Sequence, residues 1–304
     1  MQYTKIDINS YLYKLLQQIP EGYVTTYGIL AEALGDKRVA RSVGYMLSIN
    51  DKPDVFPCYK VVYSDGRSGK YALGSEEKIR RLTGDGIGIN NGKIENFENK
   101  VFKDFKTDYP LRELQKEQIK IASMADFNEH PVPEKIAAID VSYCNDYGYA
   151  SMVFSGSDDV RGYVAKVKFP YMSSYLAYRE LPFIEKIAQD FDGLILIDAN
   201  GLLHPREAGL ATFAGVIMNK HTIGVAKSLL FGNIRNSYIY YNNKPLGYEI
   251  NKRTIVSPGN FMSLQQSINI IKNIGNNKYP KLLKRAHDET VKLRNAEIAE
   301  IGER

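Results

Sequence analysis

Residues 193–209, GLILIDANGLLHPREAG, join a short continuous apolar run to an aspartate and then to a glycine-containing, charged turn. Aliphatic residues bounded by Gly193 and Asp198 form the pattern of a strand buried on both faces, as in sheets covered by helices. A carboxylate at the end of such a strand points into the crevice where open α/β sheets bind ligands. Asp140 closes a second apolar run, KIAAID (135–140), in the same way. Two aspartates at the ends of neighbouring buried strands make an oxygen-rich site suited to Mg²⁺ or Mn²⁺. A single strand-end aspartate often does no more than cap a turn. Its repetition here, with GLLHPREAG directly behind the second copy, favours a site. Glu180, the last residue of PYMSSYLAYRE (170–180) and part of a helix-like stretch, is a third acid. His204 shares its loop with Arg206, so the two are placed to face a phosphate, although a loop histidine can also be structural. Lys227 follows the apolar run IGVA and is either a neutraliser of a scissile phosphate or a solvated strand-end lysine.

The same alternation extends from about residue 134 to the C-terminus. KIAAIDVSYC, GYASMVFSG, GYVAKVKF, GLILIDANG and HTIGVAKSLL are short β-rich runs, separated by helix-like stretches such as SYLAYRELPFIEKIAQDF. That order predicts an α/β domain with a mixed sheet. SPGNFMSLQQSINIIKNIG predicts a late helix started by Ser257-Pro258, and a charged helix closes the chain.

Upstream the pattern differs. SYLYKLLQQIP is amphipathic and stops at Pro20. VTTYGILAEALG predicts a helix with Thr25 or Thr26 as N-cap and Gly35 as its stop, and KRVARSVGYMLSIN predicts a second after a tight turn. Two short helices joined at a glycine suggest a helix-turn-helix. PCYKVVYSDGRSGKYALG then predicts a strand, a turn at Asp65-Gly66 and a wing-like return. The expected division is a small domain over 1–89, a polar linker over 90–108 and a larger domain over 109–304, opening with a helix at LRELQKEQIKIAS. Two domains suit a length of 304 residues.

Composition narrows the classes. The chain is 44% hydrophobic and 25% charged, which fits a globular protein and not a disordered one. No apolar run approaches membrane-spanning length, and the N-terminus lacks the pattern of a signal peptide. Two cysteines give no disulfide framework and point to a reducing, cytoplasmic setting. A net charge of +5 is compatible with a polyanionic partner without requiring one. The chain is expected to be a monomer.

The blocks IDVSY, PYMSSYLAYRE, DANGLLHPREAGLA, GVAKSLL, SPGNFMSLQQ and KLLKRAH occur in the order and spacing of endonuclease V, and the resemblance covers roughly residues 110–304. It implies an RNase H-like fold and Mg²⁺-dependent cleavage of the second phosphodiester 3′ of deoxyinosine. It further implies that Asp140 and Asp198 are metal ligands, that Glu180 and His287 position water or metal, and that His204 and Lys227 contact phosphate or base. Tyr171 resembles the wedge aromatic that fills the gap left by a flipped base. The chain departs from the family at Ser173, Ser174 and Ala199, which border the base pocket. RNA remains an alternative substrate, because nothing in these runs shows how the sugar 2′ position is read.

The stretch over about residues 23–86, with VFPCYKVV (55–62) near its centre, resembles the C-terminal domain of O6-alkylguanine-DNA alkyltransferases. The resemblance implies minor-groove binding through a helix-turn-helix and irreversible alkyl transfer to Cys58, without a cofactor. Arg41 would replace the flipped base, Tyr27 would help rotate the nucleotide, and Asn50 and Tyr71 would line the pocket. Lys78 also falls at family spacing, and the resemblance implies that it contacts DNA. The family's Pro-Cys-His-Arg is here Pro57-Cys58-Tyr59-Lys60, with Asp85 at the matching acid. Tyrosine titrates near 10 and is a poor base at neutral pH, so the thiol is either less activated than in the family or activated by Lys60 and a helix N-terminus. The whole reading is thus an α/β chain with a small winged helix-turn-helix domain ahead of a mixed-sheet nuclease. Its substrate would be double-stranded DNA carrying O6-alkylguanine or deoxyinosine. Two alternatives stand beside it: a sensor that flips alkylguanine without reacting, and a helix-turn-helix regulator with a degenerate nuclease. Cys144 reads as a buried packing residue.

Overall fold

The structure, a computed structural model, describes residues 2–302. The chain forms two units. One spans Lys5–Leu114 and includes Phe169–Ser173; the other holds Gln115–Lys168 and the chain from Ser174 onward, with the first four residues. No helix among the described residues is long and apolar enough to cross a membrane.

In the smaller unit, helix α1 (Ile8–Leu16) is capped by Asp7, whose carboxylate accepts the Ser10 N–H, and buries Ile8, Leu12, Leu15 and Leu16 on one face. Strand β1 (Thr25–Thr26) leads straight into α2 (Tyr27–Leu34). Thr26 caps this helix by accepting the Ile29 N–H, and Gly35 ends it at φ 106, a left-handed conformation that disfavours a side chain. After a 3-10 turn at Lys37–Val39, α3 (Ala40–Ser48) completes the helix-turn-helix and buries Val43, Met46 and Leu47. A 3-10 turn at Cys58–Lys60 precedes β2 (Val61–Val62), which pairs in parallel with β1. The turn at Asp65-Gly66 forms, with the Tyr63 N–H donating to the Arg67 carbonyl. The return segment is shorter than a strand: it bridges only at Arg67, to Lys93. Helix α4 spans Ser75–Gly84.

Residues 90–108 are folded, whereas their composition predicts a linker. Strands β3 (Ile89–Asn90) and β4 (Lys93–Ile94) pair, and α5 spans Phe97–Lys100. Val24 donates to the Lys100 carbonyl and accepts from Phe102, and the Thr107 hydroxyl donates to Ala33 O. The polar composition hides these backbone bonds, which tie the segment to the smaller unit.

Helix α6 (Pro110–Met124) is followed by β5 (Ile136–Cys144), β6 (Tyr147–Phe154), β7 (Val160–Lys166), α7 (Leu176–Ala188), β8 (Leu194–Ile197), α8 (Leu210–Met218) and β9 (His221–Ala226). Then come β10 (Asn233–Arg235), β11 (Tyr238–Tyr241), β12 (Lys244–Asn251), β13 (Thr254–Asn260), α9 (Leu264–Gly275) and α10 (Lys281–Gly302). The nine strands make one mixed sheet of order β10-β11-β12-β13-β9-β8-β5-β6-β7, in which β5, β8 and β9 run parallel and the other pairs antiparallel. Its core joins Ala138, Leu194, Leu196, Ile223, Val225 and Val256 to Ile268 and Ile271 of α9 and Leu283 of α10. Ser257 and Pro258 lie in β13 and do not start a helix. The ladder shifts register between Pro258 and Asn260, a setting that tolerates a residue without an N–H. Helix α9 starts at Ser263 instead, in a capping box with Gln266.

The sheet brings two sequence segments to one point. The parallel pairing of β5 and β8 ends at Ile139↔Ile197, so Asp140 and Asp198 both stand one residue beyond the last pair. Asp140 sits mid-strand, because β5 continues to Cys144 against β6 alone. The loop after Asp198 presses against β9: a Cβ on Gly224 would lie 2.5 Å from the Ala199 carbonyl oxygen.

Candidate functional site

In the smaller unit Cys58 is the first residue of its 3-10 turn and is 5% exposed. Its Sγ receives the Asn50 Nδ2 at 3.1 Å. The same amide donates to Phe56 O at 2.9 Å, and Asn50 Oδ1 accepts the Lys52 N–H, so Asn50 is fixed in one orientation. Burial pushes the thiol pKa up, and the Asn50 hydrogen bond and the charges of Lys78 and Arg81 partly offset this. Both cations belong to α4. Lys78 is buried, its Nζ donating to Val61 O at 2.6 Å and Lys70 O at 3.3 Å, and burial lowers its pKa to about 8. It therefore points into the protein, beside the thiol, and not toward DNA as expected.

Tyr59 donates to Asp85 Oδ2 at 3.0 Å, and Lys60 Nζ reaches the same oxygen at 2.9 Å. Lys60 also donates to Pro20 O at 3.0 Å. The cation expected to activate the thiol is thus engaged elsewhere, and Lys78 and Arg81 take its place. Burial and Asp85 raise the Tyr59 pKa, so this phenol stays protonated. Tyr27 and Tyr71 flank the thiol closely enough for its charge to raise both phenols, after burial. The Tyr71 hydroxyl is buried with no protein partner. Arg41 is exposed on α3. A cleft of about 590 Å³ opens beside Pro57, Tyr59, Lys60, Arg81 and Asp85.

In the larger unit Asp140 Oδ2 accepts from His287 Nδ1 at 2.7 Å, and Lys227 Nζ lies 2.5 Å from Asp198 Oδ2. Glu180 on α7 is buried and accepts the Tyr143 hydroxyl at 2.9 Å. Burial, then the fields of Asp140 and Asp198, push its pKa to about 8. Asp140 is raised by burial and next by Asp198. Three carboxylates therefore crowd one point, and the Lys227 ammonium offsets only part of their charge. Among the described residues no group of three or more His, Cys, Asp or Glu side chains forms a ready-made cage. Two aspartates with room for water and phosphate oxygens are nonetheless what Mg²⁺ uses, because it keeps much of its hydration shell.

One expected site residue and one expected packing residue sit differently. His204 is 3% exposed; its Nε2 lies 3.1 Å from Ser174 O and its Nδ1 accepts the Arg206 N–H. Both ring nitrogens are engaged inside the protein, so His204 braces its loop and presents no free nitrogen to a phosphate. Cys144 is only partly buried. Tyr171, by contrast, is 60% exposed. One neighbour of the site has no signature in the sequence. Tyr279 places its ring 5.0 Å from Lys227 Nζ, a contact between residues far apart in sequence that no local pattern signals.

Fold and sites together define a protein of two units, a mixed-sheet domain with paired carboxylates and a thiol-bearing helix-turn-helix domain. The endonuclease V family matches residues 115–288, and the DNA-binding domain of 6-O-methylguanine DNA methyltransferase matches residues 7–87. A bifunctional methyltransferase/endonuclease from Picrophilus torridus is 57% identical over 295 residues, 96% of this chain and 99% of that one. One from Thermoplasma volcanium is 47% identical, covering 95% and 91%. The solved endonuclease V of Ciona intestinalis, in complex with inosine-containing DNA, superposes with a TM-score of 0.54 over 64% of this chain and all of that one, at 23% identity. The chain belongs to the bifunctional methyltransferase/endonuclease family and is a DNA repair enzyme.

Proposed function

We propose that the smaller unit transfers the alkyl group of O6-alkylguanine in duplex DNA irreversibly to Cys58, and that the larger unit nicks DNA 3′ of deoxyinosine with Mg²⁺. In the transfer, the Cys58 thiolate attacks the alkyl carbon, a C–S bond forms and the C–O6 bond breaks. The electron pair stays on guanine, which takes up a proton. Asn50 orients the sulfur, Tyr27 and Tyr71 line the base pocket, and Arg41 fills the stack. The observation that carries this half is the Asn50-to-Cys58 hydrogen bond at 3.1 Å, which holds the thiol in one place.

Asp140 and Asp198 would hold the metal in the nuclease, and Mg²⁺ when bound supplies Lewis-acid stabilisation of charge developing on the phosphate. His287 orients Asp140, Lys227 neutralises a phosphate oxygen, and Glu180 holds a proton near the site. Tyr171 wedges the duplex as the base leaves it. The observation that carries this half is the placement of both aspartates one residue past the β5–β8 pairing. A reducing, cytoplasmic setting suits two free cysteines.

The test has two arms. Intact-mass measurement after incubation with O6-methylguanine duplex should show one added methyl group, mapped to Cys58. Nicking of inosine, uracil and O6-methylguanine duplexes, with Mg²⁺ or EDTA, should show metal-dependent cuts at inosine only. Asp140→Ala and Asp198→Ala should each lower nicking about a thousandfold and leave duplex affinity intact. A second reading, a lesion sensor without transfer, draws on the raised thiol pKa and the protonated Tyr59. It is the result if lesion duplex binds tightly and Cys58 gains no mass.

A further inference from the structure

Tyr279 ends the loop ahead of α10, the helix that carries His287. His287 grips Asp140, while Tyr279 meets the other half of the site twice over. Its ring faces Lys227 Nζ at 5.0 Å, within the range of a cation–π contact. Its hydroxyl lies against Asp198, yet is buried and makes no hydrogen bond of ordinary geometry. Lys227 and Asp198 are themselves paired at 2.5 Å. One stretch of chain thus touches both aspartates, through His287 on one side and Tyr279 on the other. Packing explains part of the ring's position, since Tyr279 also borders the core shared by α9 and α10. Packing does not explain why the phenol faces a charged pair.

We propose that Tyr279 is a positioning residue of the nuclease site: its ring seats the Lys227 ammonium and its hydroxyl faces Asp198. When a cation or a phosphate draws Asp198 or Lys227 away from the other, the ring keeps the ammonium from swinging into solvent, where half of its side chain already lies. The inference rests on the nuclease reading above, and its test is built to separate the two.

Tyr279→Met removes the ring but fills the space with a flexible side chain of similar reach, and Tyr279→Phe keeps the ring. The first readout uses metal-free protein: the rate of reductive methylation of Lys227, followed by peptide mass spectrometry. Tyr279→Met should be labelled about threefold faster than wild type, and Tyr279→Phe at the wild-type rate. The second is single-turnover nicking of an inosine duplex in a double-mutant cycle. Tyr279→Met should lose about tenfold in rate, equivalent to ~1.4 kcal/mol, but nothing further when Lys227 is already alanine. Equal losses with and without Lys227 would mean that Tyr279 serves only the fold, and the proposal would be wrong. Unchanged labelling of Lys227 in a cooperatively unfolding Tyr279→Met protein overturns it as well. If the wild-type chain nicks nothing, the nuclease reading fails, and the labelling rates still decide whether Tyr279 seats Lys227.

Discussion

The Tyr59 hydroxyl and the Lys60 ammonium converge on a single oxygen of Asp85, at 3.0 and 2.9 Å. The residue next to the thiol is therefore a hydrogen-bond donor to the acid, and it cannot accept the thiol proton at neutral pH. An imidazole at position 59 would face the same carboxylate and titrate near neutrality. Tyr59→His should then speed methyl transfer and shift its pH dependence downward. In the wild type the thiol pKa is raised by burial. Only the thiolate reacts, so the rate should climb about tenfold per pH unit from 6 to about 8, the range in which Lys78 keeps its charge, without a plateau. The variant should level off earlier. Single-turnover kinetics on O6-methylguanine duplex decide it; identical profiles would show that residue 59 has no part in activation.

Lys78 gives the second prediction. Its charge favours the Cys58 thiolate, and the thiolate in turn favours charged Lys78. Lys78→Met should slow transfer at pH 7 by about tenfold, one pKa unit of lost thiolate stabilisation. The sign of the pH effect follows from the lowered lysine pKa of about 8. Wild-type Lys78 is charged below that value and neutral above it, so the defect should shrink as pH rises past 8. A defect constant from pH 6 to 10 would assign Lys78 to packing alone.

These two cases show what the sequence can and cannot convey. The helices of the smaller unit are legible because their caps are local: Asp7, Thr26 and Gly35 each act within a few residues. The aspartate pair is legible because apolar runs ending in Asp140 and Asp198 report where the parallel pairing of β5 and β8 stops, although β5 itself runs on past Asp140. Burial of a charged side chain leaves no such trace. Lys78 reads as ligand-facing through the family resemblance and His204 through the loop it shares with Arg206, yet both are buried and satisfied by protein carbonyls or amides. Ser257-Pro258 imitates a helix start, because proline's conformational preference suits a bulged strand as well as a first helical turn. The folding of residues 90–108 depends on backbone bonds to Val24, which composition cannot show.

Arg41 is exposed on α3, so its replacement should leave the fold intact. Arg41→Ala is expected to lower alkyl transfer at least tenfold, since nothing then occupies the gap left by the flipped base. Inosine nicking by the same protein should stay within twofold of wild type. Parallel loss of both activities, with an unchanged melting temperature, would show that Arg41 supports binding for both units.

Gly224 lies in β9, where the loop that follows Asp198 crosses it. A Cβ there would stand 2.5 Å from both Ala199 O and Gly201 N, and 2.7 Å from the Asn200 carbonyl carbon. All three are backbone atoms, so no side chain can rotate aside, and the loop itself must move. Overpacking of this kind costs ~1–3 kcal/mol. A shift of even 1 Å in a metal-binding carboxylate costs far more in rate than in stability, roughly a hundredfold. Gly224→Ala should therefore lower the melting temperature modestly and reduce nicking by about two orders of magnitude. Methyl transfer to Cys58 should be unaffected, because Gly224 and the three atoms nearest its Cβ all belong to the larger unit. Differential scanning calorimetry, single-turnover nicking and intact-mass transfer assays on one preparation measure all three. Full nicking activity in a folded Gly224→Ala protein would show that the Asp198 loop can shift without disturbing the carboxylate, and would remove the close approach from the account of the site.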